Sequence, residues 1–588
     1  MCLGTIDSSL SSILIFHLIT WIELQSKILF YMKILWLDLN SSYAHSSLAL
    51  PALHAQLSND DTIEWSKVSA TINENPGMTA GEICRQEPDI VAATCWVFNH
   101  EMLMHILCRV KALRPQCCII LGGPEFLGDN KKFLLKNDFV DCVFRGEGEE
   151  MFPAWLSMWN ESSRWNEIIG LCYYDDDGNY HDQGRAQVKQ FAELKSPEES
   201  SFFNWDKPFV QLETTRGCFN TCAFCVSGGE KPVRSQPLEK IVERVKNIHA
   251  HGIKNIRMLD RTFNYNTRYA KSLLELFRSY PDIRYHLEIH PALLSQELKD
   301  ELPTLPKGLL HLEAGIQSLH QDVLDTSRRK GKLEPSIEGL RYLCSLDNME
   351  THADLIAGLP LYHLEQIFDD IRILADMHTG EIQLESLKLL PGTEMRRRAA
   401  ELGIRYSTLP PYEVLETNEI SADELQTARL LSRMLDFYYN AKPWQDITRK
   451  LILENEDFLH RFLDYLIQIS VIDAPLSLER RGIILYQFCQ KEYPSYIADA
   501  SQAWIEAGMS LKKQPAERVR TKHVTPPTSW ETCFGEYHDG LRLCKLPLED
   551  GETIVWYGFE MEEQGGKPIF KAVSNAAADE QYLKAQAS

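Results

Sequence analysis

A chain of 588 residues, 44% hydrophobic and 24% charged, has room for about four globular domains and is too apolar to be disordered. Its formal charge of −22 argues against a protein that lives on nucleic acid, because phosphate contacts are driven by Lys and Arg and no basic stripe is present. Fifteen cysteines at irregular spacing exclude a disulfide framework and point to a reducing compartment, the cytoplasm.

Residues 13–21 are apolar but short. His17 interrupts them, Glu23, Gln25 and Lys27 follow, and there is neither a basic n-region nor a small-residue cleavage site, so no stable membrane partner is expected. Met32 opens a natural start running straight into a strand, and residues 1–31 are expected to be a start artefact or a disordered extension. Residues 32–160 alternate strand-like runs (33–39, 63–71, 89–94, 117–121, 141–144) with helix-like ones (46–57, 79–86, 101–113, 131–136, 149–159). Five such units predict an α/β domain with a doubly wound parallel sheet. Ligands then dock at the C-terminal strand edges, here 40–47, 95–99, 122–126 and 146–149. The glycines of Leu121–Glu125 and Arg145–Glu149 let backbone approach a bulky ligand.

Residues 161–207 read as a connector with a small hairpin around the turn Asp175-Asp176-Asp177-Gly178 and a polar linker at 196–200. Residues 208–405 carry six further strand-like runs (209–214, 255–259, 285–289, 309–314, 350–356, 381–388) alternating with helices such as 238–250 and 364–376, which predicts a partial (β/α)6 barrel. The loop leaving its first strand holds Cys218, Cys222 and Cys225 with C-x3-C-x2-C spacing. Structural zinc wants four closed ligands, whereas a [4Fe–4S] cube on three cysteines keeps one iron open. Beyond 405, Pro410-Pro411-Tyr412 reads as a strap. The rest of 406–588 reads as mostly helical (421–439, 444–453, 456–469, 478–489, a turn or two at 502–508), with Tyr438 and Tyr439 in the helical core and a terminal hairpin across Gly565-Gly566.

With Phe224 as the aromatic of C-x3-C-x-aromatic-C, the cysteine loop resembles the radical S-adenosylmethionine (radical SAM) superfamily. The resemblance implies a [4Fe–4S] cluster on the three cysteines and S-adenosyl-L-methionine contacts at successive strand ends. These are Asp260 and Asn264 for the amino group, then Glu288, then Glu313, Gln317 and Ser318, with Arg328 for a carboxylate, then Asp354, and Gly358 against the adenine. Carboxylates and amides can accept from an ammonium and from ribose hydroxyls, and Arg grips carboxylates bidentately. Gly228-Gly229-Glu230 spells the superfamily's Gly-Gly-Glu but follows the cysteines directly, so it reads as a turn.

The Gly-Gly-Pro loop ahead of that motif resembles the cobalamin-binding domain of one radical SAM class, which implies cobalamin contacts at Gly122, Gly123, Pro124, Gly146, Glu147 and Gly148. The D-x-H-x-x-G motif that supplies an axial His elsewhere is absent, which implies binding without a His ligand; His45, the nearest candidate, reads as a helix-start residue. The last third resembles the uncharacterised C-terminal domain of one branch of that class. The resemblance implies an enzyme that generates a 5′-deoxyadenosyl radical to methylate or otherwise modify a small molecule or peptide, with a reductant such as flavodoxin or ferredoxin. A transfer-RNA methylthiotransferase and a non-catalytic cobalamin or Fe–S sensor are the alternatives.

Overall fold

The computed structural model describes residues 32–43, 45, 47–57, 60–507, 509 and 513, and strand segments between 542 and 574. The expectation for residues 1–31 lies outside the described residues. The first sheet holds β1 (Met32–Asn40), β2 (Ile63–Thr71), β3 (Ile90–Thr94), β4 (Cys118–Gly122) and β5 (Cys142–Phe144) in parallel, in the order β2-β1-β3-β4-β5. Ile90, Val91, Ala92 and Ala93 are all buried, the mark of a parallel strand covered on both faces. The strand order reverses between β1 and β3, which opens a crevice at their C-terminal ends.

One expectation is corrected here. The predicted connector hairpin, β6 (Leu171–Tyr174) and β7 (Tyr180–Asp182), extends this sheet antiparallel to β5, with Leu171, Cys172 and Tyr173 buried against it. Apolar residues on one edge of a hairpin find the nearest open strand edge.

The central unit contains β8 (Val210–Leu212), a two-residue ladder of β9 (Thr215–Arg216) with β10 (Arg234–Ser235), then β11 (Asn255–Met258), β12 (Arg284–Ile289), β13 (Leu310–Gln317), β14 (Glu350–Ala357) and β15 (Glu381–Ser386). Six of these are parallel in the order β8-β11-β12-β13-β14-β15, an open six-stranded partial barrel. Alternation sorts the side chains: Leu287, Leu312 and Leu355 join Leu274, Leu340 and Leu374 of the covering helices in the core. His286, Glu288, Glu313, His352 and Asp354 take the other, inner face.

The remainder packs helices Ala422–Met434, Lys442–Glu454, Phe458–Gln468, Leu478–Glu492 and Ile497–Glu506, the first continued by a π-helical turn at Leu435–Tyr439 that buries Tyr438 and Tyr439. The helix at 497–506 is longer than the one or two turns expected at 502–508. After the short ladder β16 (Arg405–Tyr406) with β17 (Val414–Glu416), the terminal strands exceed the predicted hairpin. β18 (Arg542–Pro547) pairs antiparallel with β19 (Ile554–Phe559), β20 (Glu562–Gln564) pairs antiparallel with β21 (Lys567–Ile569), and β22 (Ala572–Ser574) pairs antiparallel with β19. Among the described residues no helix is long and apolar enough to cross a membrane.

Two of the ties between the units come from segments that read as linkers. The supposed polar linker Ser196–Ser200 is anchored, since Glu198 is buried and forms a bidentate pair with Arg244 at 2.9 and 3.0 Å. The strap places the Tyr412 hydroxyl 2.6 Å from Glu125 of the Gly-Gly-Pro loop, a carboxylate that also meets His100 Nδ1 at 2.9 Å.

Candidate active site

The three cysteines ride on a loop clamped at both ends. The β9–β10 ladder closes it, the Cys218 N–H donates to the Glu230 carbonyl at 3.0 Å, and the Ala223 N–H donates to Ser327 O at 2.8 Å. Within the loop, the Gly228 N–H meets the Cys225 carbonyl at 3.1 Å, and a Cβ on Gly228 would stand 2.3 Å from the Cys222 carbonyl oxygen. The expected turn at 228–230 is therefore what folds the cysteines together. Burial raises the thiols of Cys222 and Cys225 above the usual range, and for Cys222 the Arg329 guanidinium, 3.6 Å from Sγ, pulls back.

The donor set suits a polynuclear cluster better than a single ion. Three thiols on one loop leave one iron of a [4Fe–4S] cube open, whereas a structural zinc site wants four closed ligands. The half-buried Arg329 beside the sulfurs also offsets the negative charge such a cluster carries.

At the strand ends the expected residues divide. Glu288 and Glu313 lie on the inner face, Asp354 beside them, with Glu288 3.6 Å from Arg261 and Glu313 2.7 Å from His286. Burial, and then the Glu313 and Asp354 charges, push Glu288 up to about 7 against the pull of Arg261. Gln317, at φ +74°, folds its amide over the bare Cα of Gly315.

The others turn into the protein. Asp260, 1% exposed, accepts from the Thr214 N–H at 3.0 Å, both threonine hydroxyls at 2.7 and 2.8 Å, and the Thr215 N–H. Asn264 exchanges two 2.9 Å bonds with the backbone of His290. Ser318 is fully buried and accepts from the His320 N–H at 3.2 Å. Arg328 points outward to Glu394, and its neighbour Arg329 reaches the cysteine loop instead. Gly358, at φ +90°, faces Leu425 and Val414 of the last unit, where a Cβ would meet them at 3.4 and 3.5 Å, ordinary contact distances.

A cavity of about 760 Å³ connects the two sheets. Its walls include Gly122, Gly123, Pro124, Gly146, Glu147 and Gly148 on one side and Gly217, Ser227 and Arg261 on the other. At Gly123, φ +108°, a Cβ would stand 2.6 Å from the Cys95 carbonyl, so glycine is required before any ligand arrives. Glu147 is not free to face a ligand: Arg234 grips it at 2.6 and 2.9 Å and the Val188 N–H donates to it at 2.7 Å. Arg216, just before Gly217, pairs with Glu149 at 2.8 Å and Glu213 at 2.7 Å, tying the first unit's loop to the cysteine loop. His45 lines the same cavity, its Nδ1 2.9 Å from Ser42 Oγ.

Sequence reasoning missed Arg329, Arg216 and the stacked pair Trp96 and Phe98, whose rings lie 6.4 Å apart on the cavity wall. Only the aromatic pair carried a signal, two large rings on a strand-end loop.

Three family descriptions match the chain: "Radical SAM superfamily" over residues 212–374, "B12 binding domain" over 39–156, and a protein of unknown function, DUF4080, over 400–504. The 2-(S-pantetheinyl)-carbapenam-3-carboxylate methyltransferase of Streptantibioticus cattleyicolor is 23% identical over 59% of this chain, which spans 53% of that protein's length. A tRNA-2-methylthio-N(6)-dimethylallyladenosine synthase of Thiobacillus denitrificans is 25% identical over 45% of this chain and 58% of its own. In fold the chain resembles the radical S-adenosylmethionine methyltransferase TsrM from Kitasatospora setae (TM-score 0.54, 14% identity, 81% of this chain, 99% of that one). It also resembles the cobalamin-dependent S-adenosylmethionine radical enzyme OxsB (TM-score 0.56, 14% identity, 81% and 79%).

Proposed function

We propose, from the premise that this chain is a radical SAM protein with a B12 binding domain before its barrel and a DUF4080 domain after it, that it is a cobalamin-dependent methyltransferase acting on a small molecule or peptide. The carrying observation is the single cavity of about 760 Å³ that brings the Gly-Gly-Pro loop and the cysteine loop to face one another. When bound, a [4Fe–4S] cluster with S-adenosylmethionine supplies a 5′-deoxyadenosyl radical, and cobalamin supplies a methyl carrier.

The chain's own residues do the rest. Cys218, Cys222 and Cys225 give up their protons to hold the cluster, and Arg329 balances its charge. Glu288, Glu313, Asp354 and Gln317 present acceptors to the ammonium and hydroxyls of S-adenosylmethionine, while Asp260 and Asn264 keep the strand ends that carry them in place. The residues that would hold cobalamin are Gly122, Gly123, Pro124, Gly146 and Gly148, whose backbone lines the cavity, and Trp96 and Phe98 would cover part of the same wall. A one-electron donor of the flavodoxin or ferredoxin class completes the set.

Anaerobic reconstitution followed by iron, sulfide, cobalt and 5′-deoxyadenosine analysis tests the reading. One cluster, one cobalt and reductant-dependent 5′-deoxyadenosine are expected, with Cys222→Ala losing the cluster and the nucleoside. Cobalt without 5′-deoxyadenosine would make the chain a binding protein, and two clusters without cobalt a methylthiotransferase.

A further inference from the structure

The inner face of the central sheet carries an imidazole–carboxylate group that the chemistry above does not use. His311 on β13, His352 on β14 and Glu381 at the start of β15 each offer one ligand atom, and these atoms all lie within 4.8 Å of one another. Parallel register makes the group, because Glu381 aligns with His352, and His311 with Glu350, on adjacent strands. His352 precedes the strand end at Ala357 by about 17 Å of extended chain, so the group sits on the floor of the lumen, far from the cysteine loop at the rim.

The spacing fits a tetrahedral ion. Nε2 of His311 and Nδ1 of His352 face each other 3.5 Å apart. Two nitrogens each 2.0–2.1 Å from a tetrahedral zinc stand about 3.3–3.4 Å apart. A carboxylate stands behind each ring: Asp354 Oδ1 lies 2.7 Å from His352 Nε2, and Glu350 Oε2 lies 3.4 Å from His311 Nδ1. Asp354 so placed holds the far ring proton of His352 and leaves its facing Nδ1 as a lone pair. Arg284 also donates to His311 Nδ1 at 2.8 Å and to Glu350 at 2.6 Å. Moving the His311 ring proton from Nε2 to Nδ1 exchanges the first of those contacts for one to Glu350 and frees Nε2. Glu313 and Asp354, which form a second group within 4.8 Å that shares His352, add negative charge on the lumen side.

We propose that this floor binds one divalent first-row metal ion through His311, His352 and Glu381, with the remaining coordination position open to the lumen. Two imidazoles and one carboxylate suit zinc or ferrous iron. The site shares no ligand with the cysteine loop, and the proposal does not depend on the activity above.

The test equilibrates anaerobically reconstituted full-length protein with Zn2+ and counts iron and zinc by mass spectrometry after desalting. One zinc per chain beyond the cluster iron is expected. Cys222→Ala should lose iron and keep zinc, while His352→Gln and Glu381→Gln should keep iron and weaken zinc binding at least about tenfold. Zinc held at wild-type affinity by both Gln variants, or no zinc on cluster-loaded wild type, overturns the proposal. X-ray absorption at the zinc edge of the wild-type protein needs no variant: nitrogen and oxygen neighbours support the site, and sulfur neighbours refute it. Protein that takes zinc here yet never forms 5′-deoxyadenosine would leave this site standing and remove the proposed activity.

Discussion

Removing the Asp260 side chain should loosen the cysteine loop without touching a cysteine. Its carboxylate accepts two backbone N–H groups and two hydroxyls from Thr214 and Thr215, the residues that lead from β8 into the loop. In Asp260→Ala the hydroxyls can rotate to other acceptors, but the two amides cannot. An orphaned buried amide costs about 1–3 kcal/mol, and part of that is recovered because a carboxylate no longer has to be held away from water. A net local loss of about 3 kcal/mol follows, equivalent to about a hundredfold or more in an opening equilibrium. Asp260→Asn keeps an oxygen toward the amides and can donate to a threonine hydroxyl, so it should lose about 1 kcal/mol. Hydrogen exchange of a peptide covering 210–217 reads the change directly, and iron content after reconstitution should fall in the Ala variant and hold in the Asn one. Wild-type exchange and full iron in Asp260→Ala would refute the argument.

Three further outcomes follow from the geometry. Gly228→Ala must move the Cys222 carbonyl, so cluster iron should drop while far-ultraviolet circular dichroism stays unchanged. Arg244→Met leaves the buried Glu198 charge without its partner and should destabilise the protein by about 3–5 kcal/mol in calorimetry, with Glu198→Gln added in the same chain recovering part of the loss. Glu288 is raised from 4.5 to about 7 in the fold, so whatever stability it contributes is full below about pH 4.5 and is lost as pH rises through about 7. Its ionisation in the folded protein, centred near pH 7, should tighten S-adenosylmethionine binding between pH 6 and 8, measured by calorimetric titration, and Glu288→Gln should flatten that rise.

The central strands could be read from the amino acids because each alternates with a helix of recognisable period, and the cysteine triad because its spacing is local. What could not be read is where each strand-end polar group points. Asp260, Asn264 and Ser318 look like ligand contacts by position, yet each finds a backbone partner on a neighbouring strand or turn, a choice set by tertiary approach. Arg328 and Arg329 are adjacent and chemically identical, and the left-handed backbone at Arg328, φ +55°, decides which of them meets Cys222. The hairpin at 171–182 reads locally as a separate connector because its pairing partner, β5, lies beyond the range of any local pattern. The polar run 196–200 misleads for the same reason, since Arg244 is distant in sequence.

The Tyr412–Glu125 bond joins residues 287 positions apart, and this separation sets an order of events. The Gly-Gly-Pro wall is complete when the first sheet forms, but its outer support leaves the ribosome only after the whole barrel has been made. During synthesis the first sheet therefore stands with Glu125 held by His100 alone. Phenylalanine at position 412 would carry that state into the finished protein, leaving a buried carboxylate with one partner in place of two.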